Sequence, residues 1–411
     1  SSNLNAIFRE HGIDCAIMCM DLSKLVFDRP FIVKSIMWYP NHFCPVDKYN
    51  KKALANFSHI ASLCPTDTEL LSKALPDNKV EYIPHIIDFE TKMSTTITII
   101  RDKYGISHDA YVILINCGNY DFQNRKSLDT SIFACEEFMK GKENVILFIH
   151  TYDIKSLNGD MSHLDVKGSL RIDDLLEDSS IPAEQVIVHK EIVPYNDVLD
   201  MMRMSDVLLQ GSKSEGFGVP VLEAQLLGCP VITTKFGAMS DYTFNGISVP
   251  YVQKCYDNLG GGIWVTPSVT GMTDALNTMY SGSFEDSTEY AKEQITKLMS
   301  RESVTNRFLE LITDDFVLPS GSGLDGYGDE EKEDMDSKGP TSKNLTIVTI
   351  KKNKFIIGGK EYVKLKSKHI KTEWIMINDG FECGVEFIED LINKNATEPN
   401  ELILLKTRYK S

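Results

Sequence analysis

The sequence is poor in three features that would each point to a definite class of protein. It has no uninterrupted run of the ~18 apolar residues that a membrane-spanning helix needs. Its nine cysteines are scattered without the spacing of a metal site, and an odd number suits a reducing compartment. Positive charge is also scarce, since 43 Lys and Arg stand against 59 Asp and Glu. We therefore expect no transmembrane segment, no nucleic acid partner and a cytoplasmic location, in solution or peripheral to a membrane.

The sequence does contain strand-like and helix-like segments that alternate from about residue 12 to residue 313. Short apolar runs predict the strands, and amphipathic stretches predict the helices between them. In the second half of this region the predicted strands are Val112–Ile115, Val145–Ile149, Val186–His189, Val207–Gln210 and Val231–Thr234. Such alternation indicates a doubly wound α/β fold with a parallel sheet, and a length of 411 residues favours two to three domains.

One segment, residues 212–224, carries the strongest functional signal. It places Glu215 and Glu223 eight residues apart, with a Gly-Phe-Gly turn and Pro220 between them. Because a predicted strand ends just before the segment, Glu215 should lie in the loop at the carboxyl end of that strand. Pro220 suits the first turn of a helix and Gly228 the position just past its end, so Glu223 should lie about one turn into this helix. Open α/β sheets bind their ligands at this edge.

The loop between the two glutamates predicts an anion site. The backbone N–H groups of Gly216, Phe217 and Gly218 precede the helix and should point towards one spot. Two carboxylates beside an anion site suit a ligand with both hydroxyls and phosphates, and a nucleotide sugar has both. The plainer alternative is a solvated carboxylate at a helix start together with an ordinary surface glutamate.

The motif EGFGVPVLEA, followed by GCPVITT at residues 228–234, resembles the Glu-x7-Glu motif of retaining glycosyltransferases of the GT-B fold, in the large family 4 group. The resemblance extends over residues 12–313 and implies two Rossmann-like doubly wound domains. Residues 1–90 would then be a partial acceptor-side domain, and residues 91–317 the donor-binding domain with its closing helices.

The remainder of the chain differs in composition. Residues 318–343 are predicted to be an acidic flexible linker, since residues 325–336 hold seven acids and one lysine. Residues 344–411 are predicted to be a small α/β appendage of unknown role. Its predicted elements are strands at Leu345–Ile350, Lys354–Ile357, Trp374–Ile377 and Leu402–Leu405, and a helix at Val385–Ile392.

The amino-terminal domain is shorter than the resemblance implies. About 90 residues precede the connection, whereas such a domain has roughly 160–200. The family's first strand and its glycine-rich first loop are absent from this region. The interpretations are a fragment, one part of a split enzyme or a natural minimal form, and a partner chain or oligomer is one way to complete the domain.

The resemblance also assigns residues around the first strand of the donor domain. The run Ile115-Asn-Cys-Gly-Asn places Gly118 and Asn119 in the loop by the donor, with Asn119 where the family usually has an arginine. Arg125 and Lys126 stand at the position of a family lysine and would neutralise the departing diphosphate. Arg125 could equally be a surface arginine.

Three further residues complete the predicted site. Val193 lies in the segment that resembles the nucleobase loop, and Val219 lies directly after the Gly-Phe-Gly turn. His42 stands where the family often has an acceptor-side histidine. It is either a catalytic group that faces the donor sugar or a loop histidine with ordinary partners.

The resemblance implies a retaining hexosyltransferase that moves a sugar from a UDP- or GDP-sugar to a hydroxyl of a glycan, protein or lipid. Glu223 would accept hydrogen bonds from ribose hydroxyls, and Glu215 would hold hydroxyls of the donor sugar. Lys126 and the Gly-Phe-Gly amides would stabilise the leaving diphosphate, so neither a metal nor another cofactor is expected. The alternatives are a non-catalytic nucleotide-sugar-binding or scaffold protein, and a sugar phosphorylase, for which no motif is visible.

Overall fold

The computed structural model describes residues 2–10, 13–19, 22, 30–42, 46–87, 95–119, 123–151, 170–256 and 262–313, and four strands within 353–406. The chain divides into two compact units. The first comprises residues 1–41, 45–86 and 299–410, and the second comprises residues 42–44, 87–298 and 411. In the described part of the chain, no helix is both long enough and apolar enough to cross a membrane.

The first unit opens with strands and helices that alternate. Its elements up to residue 82 are α1 (Ser2–Glu10), β1 (Cys15–Cys19), β2 (Lys34–Tyr39), α2 (Lys48–Leu54), β3 (His59–Ser62), α3 (Pro65–Ala74) and β4 (Lys79–Tyr82). The carboxylate of Asp47 caps α2, because it accepts hydrogen bonds from the N–H groups of Tyr49 and Asn50 at 2.9 and 3.0 Å. Strands β1 to β4 pair in parallel in chain order.

The second unit contains most of the strands that the sequence predicts. Its elements are α4 (Ile97–Lys103), β5 (Tyr111–Asn116), α5 (Leu128–Met139), β6 (Val145–His150), α6 (Ile172–Glu177), β7 (Val186–His189), α7 (Tyr195–Met204), β8 (Val207–Gln210), α8 (Val219–Leu226), β9 (Val231–Thr234), α9 (Ala238–Tyr242), β10 (Gly246–Val249), β11 (Tyr251–Tyr256), β12 (Ile263–Pro267), α10 (Val269–Tyr280) and α11 (Thr288–Met299). Strands β5 to β10 form a parallel sheet in the order β10-β9-β8-β5-β6-β7, while β11 and β12 form a separate antiparallel pair.

Apolar side chains cover both faces of the second unit's sheet. Along β5, Val112 and Leu114 belong to one buried cluster, and Ile113 and Ile115 belong to another. Because successive side chains of a strand point to opposite faces, this division requires helices on both sides of the sheet. The carboxyl ends of the strands are thereby left as the edge where polar loops collect.

The chain returns to the first unit in its last described part. The elements are α12 (Arg301–Thr313), β13 (Asn353–Ile357), β14 (Lys360–Leu365), β15 (Ile375–Ile377) and β16 (Leu402–Lys406). Buried Lys34 of β2 donates to the carbonyl oxygens of Leu311 and Ile312 at 3.1 and 2.9 Å, which satisfies the carboxyl end of α12. The ring of Trp38 packs 5.0 Å from that of Phe308.

The carboxyl-terminal strands join the sheet of the first unit. The strand order of this eight-stranded sheet is β13-β14-β15-β16-β1-β2-β3-β4. β16 pairs in parallel with β1, so that Cys15 lies opposite Leu402, and β15 pairs in parallel with β16. The described strands of 344–411, the segment predicted to be a small α/β appendage, extend the sheet that begins with β1. An apolar strand can complete any open sheet edge, and its local sequence does not reveal which one.

The predicted elements otherwise agree with the structure to within a few residues. The helical pattern at Leu128–Met139 in the sequence predicts α5 with the bounds that the structure has, and the described strands at Lys354–Ile357, Trp374–Ile377 and Leu402–Leu405 are present with small shifts. The sequence did not predict α1, α4, β10, β11 or β14. The strand predicted at Leu345–Ile350, the helix predicted at Val385–Ile392 and the acidic linker at 318–343 lie outside the described residues.

Candidate functional site

The segment with the two glutamates has the predicted backbone arrangement. β8 ends at Gln210, and Glu215 lies in the loop that follows. α8 begins at Val219 with Pro220 in its first turn, and Glu223 is the fifth residue of the helix. Gly218 has a φ of 87°, a left-handed conformation that favours glycine, and this turn aims the chain into α8.

Glu215 lies at the centre of a buried cluster of hydrogen bonds. Its Oε1 atom accepts bonds from Lys126 Nζ at 2.5 Å, Ser212 Oγ at 2.7 Å and Gln210 Nε2 at 3.3 Å. Its Oε2 atom accepts a bond from Arg125 Nη1 at 2.9 Å. The two basic side chains are only 17% and 16% exposed. Two cations therefore share one carboxylate, which leaves net positive charge at the carboxyl end of the sheet.

The charge state of Glu215 follows from these contacts. Burial by itself would raise the pKa of this carboxyl, but Lys126 and Arg125 outweigh burial and hold the pKa well below its ordinary value. Glu215 is consequently ionised at every physiological pH. It cannot act as a proton donor near neutrality, and it keeps the two cations in place.

The loop that carries the two cations has an unusual backbone. Asn124 and Ser127 flank Arg125 and Lys126, and both flanking residues have left-handed φ angles, 49° and 50°. Such angles are costly for residues other than glycine and persist only where surrounding contacts impose them. Here the side chain of Asn124 donates to Asp129 Oδ1 at 2.6 Å and accepts the N–H of Leu128 at 3.1 Å.

Backbone contacts tie this loop to the loop of Glu215. The N–H group of Lys213 donates to the carbonyl oxygen of Arg125 at 2.7 Å. Arg125 Nη1 donates in turn to the carbonyl oxygen of Ser214 at 2.8 Å. The relative position of the carboxylate and the cations is therefore fixed by main-chain as well as side-chain bonds.

Glu223 has a different environment from Glu215. It is buried, and in the described part of the chain its carboxylate receives one hydrogen bond, from the hydroxyl of Tyr195 to Oε1. Burial raises the pKa of Glu223 to about 7, and the bond from Tyr195 only partly opposes this rise. One glutamate of the motif is thus held as an anion, while the other sits near its protonation midpoint at neutral pH.

The glycine turn between the glutamates is consistent with an anion site. Among the described residues, neither Gly216 nor Gly218 donates its N–H group to another residue. Val219 follows at the first position of α8, where the helix dipole favours negative charge. The side chain of Phe217 is buried and packs 5.1 Å from the ring of Tyr242, so it anchors the turn.

Asn119 stands where the family usually has an arginine, but its side chain has other partners. Its Nδ2 atom donates to the carbonyl oxygen of Leu170 at 2.6 Å, and its Oδ1 atom accepts the N–H group of Leu170 at 3.1 Å. This side chain fastens the loop after β5 to the chain before α6. Gly118, beside it, is half-buried at the end of β5, and its predicted contact with the donor stays a prediction.

A second polar group lies at the carboxyl ends of β5, β6 and β7. His150 Nδ1 is 2.8 Å from Asn116 Oδ1, and its Nε2 is 3.3 Å from the carbonyl oxygen of Glu191. Burial lowers the pKa of His150, so its ring is neutral at pH 7. Val193 is half-buried in the loop after β7 and packs against the apolar cluster on that face. The predicted nucleobase loop therefore adjoins a neutral, polar group of side chains.

His42 is the one predicted site residue that comes from the amino-terminal stretch. Its carbonyl oxygen accepts a hydrogen bond from Ser214 Oγ at 2.6 Å, next to Glu215 in sequence. The backbone of His42 is therefore adjacent to the Glu215 loop. The catalytic role of its ring stays a prediction.

The predicted set of site residues left out four contributors. Gln210 and Ser212 bind Glu215, Tyr195 binds Glu223, and His150 lies at the end of β6. A signal existed for the first two, since Gln210 is the polar last residue of an apolar strand and Ser212 follows that strand closely. Tyr195 lies 28 residues from Glu223 in the chain, and no local pattern connects them. In the described residues, no group of three or more His, Cys, Asp or Glu side chains is placed to hold a metal ion.

Part of the second unit matches a known protein family. Residues 121–254 match the family Glycosyl transferases group 1. A stretch of 68 residues is 35% identical to the D-inositol 3-phosphate glycosyltransferase of Arthrobacter sp. (strain FB24) and spans 16% of each chain. The match therefore covers about a sixth of that relative.

Several solved structures have a similar course of the chain. Sucrose-phosphate synthase from Thermosynechococcus elongatus is 15% identical, with a TM-score of 0.56 and 75% of each chain covered. A glycosyltransferase from Rickettsia africae ESF-5 is 12% identical, with a TM-score of 0.55, and 75% of this chain and 79% of that chain are covered. Anabaena HepE in complex with UDP-glucose is 15% identical, with a TM-score of 0.52, and the match covers 68% of this chain and 71% of that chain. At these identities the likeness establishes the fold.

The class of the protein follows from the fold and the family match together. The chain has the GT-B fold, and residues 121–254 of its second unit match glycosyl transferases group 1. The predicted resemblance to GT-B glycosyltransferases and the predicted α/β fold class are confirmed.

Proposed function

We propose that the chain is a retaining hexosyltransferase that transfers a sugar from a UDP- or GDP-sugar to an acceptor hydroxyl. The glycosyl transferases group 1 domain supports sugar transfer from a nucleotide donor. Retention, the hexose and an acceptor on a glycan, protein or lipid belong to the proposal. The proposed reaction uses no metal and no further cofactor, because the protein supplies its own positive charge.

The observation that carries the proposal is the cluster of Lys126, Arg125 and Glu215. A leaving nucleoside diphosphate gains negative charge as the bond to the sugar breaks, and fixed cations at that point stabilise the transition state. The net positive charge of the cluster and the amides at Gly216 and Gly218 supply this stabilisation. Because Glu215 already fixes both cations, little reorganisation is needed during the reaction.

Glu215 has limited capacity for the donor sugar. A carboxylate has about four acceptor positions. Oε1 already accepts three protein bonds, whereas Oε2 accepts one from Arg125. We therefore assign Oε2 to one sugar hydroxyl and regard the placement of the cations as the main role of Glu215.

In the proposed mechanism, the acceptor oxygen attacks the anomeric carbon from the face that the diphosphate leaves. The carbon–oxygen bond to the phosphate breaks, the new carbon–oxygen bond forms on the same face, and the acceptor proton passes to the leaving phosphate oxygen. Lys126 and Arg125 stabilise the charge on the diphosphate. Glu223 binds the ribose of the nucleotide, and His42 lies on the acceptor side.

The test is release of nucleoside diphosphate from a panel of UDP- and GDP-sugars in the presence of simple glycan and glycoside acceptors. Glu215→Ala should slow release by about 10–100-fold, the equivalent of one charge-assisted hydrogen bond of ~1.5–3 kcal/mol. The matched control is Glu137→Ala, which removes an exposed glutamate of α5 paired with Lys140 and should leave the rate unchanged. Equal rates for Glu215→Ala and wild type would remove the assigned role.

One observation favours a second function, that of a nucleotide-sugar-binding protein without transfer. Asn119 stands where an arginine is usual in the family, and its side chain forms hydrogen bonds with the backbone of Leu170. One source of diphosphate stabilisation is thus missing. Calorimetry distinguishes the two functions, since binding of a nucleotide sugar without release of the diphosphate for any acceptor would favour the binding protein.

A further inference from the structure

We propose that Tyr195 is a positioning residue for Glu223: its hydroxyl donates to one carboxylate oxygen and leaves the other to accept a ribose hydroxyl. The inference rests on the proposed function, because it takes Glu223 as the ribose ligand. Tyr195 itself contacts the carboxylate.

The geometry places Tyr195 between two parts of the donor site. It is the first residue of α7 and follows directly on the loop of Val193, the predicted nucleobase loop. Its hydroxyl reaches Oε1 of Glu223 on α8. Half of the Tyr195 side chain is exposed, whereas Glu223 is 5% exposed. Oε2 of Glu223 accepts no hydrogen bond from the described residues, which leaves this atom available to a ligand.

Tyr195 matters because none of the described residues places a cation beside Glu223. Glu215 is held ionised by two basic groups, but the contributions at Glu223 are burial, which raises its pKa, and the bond from Tyr195, which lowers it. α8 packs against α7, α9, β8 and β9. β8 and β9 carry no ionisable side chain, and the charged residues of α7 and α9 are Asp197, Asp200, Arg203 and Asp241. None of these four contributes to the shift at Glu223.

The arrangement makes nucleotide binding depend on pH in a defined direction. A protonated Glu223 has lost part of its capacity to accept two hydroxyl bonds. Since the pKa of Glu223 is raised to about 7, affinity for the nucleotide should rise as pH increases through that value. Replacing the Tyr195 hydroxyl removes a bond that favours the anion, so the midpoint of this rise should move to higher pH.

The first test measures Glu223 without a ligand. The protein is labelled with 13C at the glutamate carboxyl carbons, the Glu223 signal is identified by its loss in Glu223→Gln, and it is titrated by NMR. Tyr195→Phe should raise the pKa of Glu223 by about one unit, a tenfold change in its protonation equilibrium. The control Tyr256→Phe removes an exposed hydroxyl of β11 and should change nothing. An unchanged Glu223 pKa in Tyr195→Phe overturns the inference.

The second test measures binding of UDP and of GDP by calorimetry from about pH 6 to about pH 9. Tyr195→Phe should weaken binding about fivefold near pH 7 and about tenfold near pH 6, and the loss should shrink towards pH 9. Comparison of the variant with wild type cancels the titration of the ligand's own phosphates. A loss that is the same at every pH indicates a merely structural tyrosine and overturns the inference. Wild-type protein that binds neither nucleotide at any pH instead refutes the proposed function, while the NMR result for Tyr195 stands separately.

Discussion

Replacing Glu215 by Gln should destabilise the second unit strongly, because it leaves two largely buried cations without their carboxylate. Removing one partner of a buried ion pair costs ~3–5 kcal/mol. Lys126 and Arg125 are each about one-sixth exposed, so water recovers part of this cost. Gln also keeps one acceptor oxygen for Ser212 or Gln210. We therefore expect a loss of about 2–3 kcal/mol in the free energy of unfolding at neutral pH.

The assay is urea unfolding followed by circular dichroism, with Glu137→Gln as the control. The Glu137–Lys140 pair has a similar distance, 2.6 Å, but more than half of each side chain is exposed. Surface pairs of this kind contribute about 0–1 kcal/mol. If Glu215→Gln costs no more than this control, the cluster does not hold the charges in the way we describe.

Acid provides a second check on the same variant. The folded-state pKa of Glu215 lies below its unfolded value of about 4.5, so its stabilisation is fully present above that pH. It is lost as pH falls through the unfolded value towards the folded pKa. The stability difference between wild type and Glu215→Gln should be constant from about pH 6 to 8 and should narrow below about pH 4.5. A difference that widens in acid would contradict the assignment of Glu215 as the anion of the cluster.

Three further predictions concern the backbone and the first unit. Gly218→Ala places a Cβ at a φ of 87° and should lower the stability of the second unit by ~1–2 kcal/mol, measured by urea unfolding; an unchanged midpoint would mean that the turn adapts freely. Lys34→Met leaves two carbonyl oxygens of α12 without their donor and should cost ~2 kcal/mol in the same assay, whereas equal or higher stability would show that these bonds contribute nothing. Deleting residues 344–411 exposes the edge of β1 and should cause self-association in light scattering. A monomer of wild-type stability would contradict the pairing of β16 with β1.

Local patterns were sufficient to predict most of the second unit. Strands such as Val145–His150 are buried between two layers of helices and therefore appear in the sequence as short apolar runs. α5 ends where its apolar pattern ends, at Met139. The loop position of Glu215 and the helix position of Glu223 followed from the strand before them and from Pro220.

The elements that escaped prediction lack such local signals. β11 has no buried side chain along its whole length, so it carries no alternation of buried and exposed residues. β10 begins at Gly246, where an added Cβ would lie only 2.0 Å from the carbonyl oxygen of Val231. Here the glycine is needed because two strands approach each other closely. In the sequence alone, the same glycine indicates a turn.

The parts of the site that escaped prediction depend on contacts between distant segments. The sequence shows only that Asn119 stands where the family usually has an arginine. In the structure its side chain binds the backbone of Leu170, 51 residues away. Tyr195 and Glu223 come from two neighbouring helices. The pairing of β16 with β1 joins the two ends of the described chain. Motif spacing predicts which loop carries a group, and tertiary packing decides what that group contacts.

The central claim is that this chain transfers a sugar with retention at the site of Glu215, Lys126 and Glu223. The most direct measurement is proton NMR of the reaction with the nucleotide sugar that gives the fastest diphosphate release, because the anomeric coupling shows the configuration of the product as it forms. We predict that the transferred sugar keeps the anomeric configuration of the donor and that Glu215→Ala slows the appearance of the product signal by about 10–100-fold. A product of inverted configuration, or an equal signal from Glu215→Ala, would contradict the account.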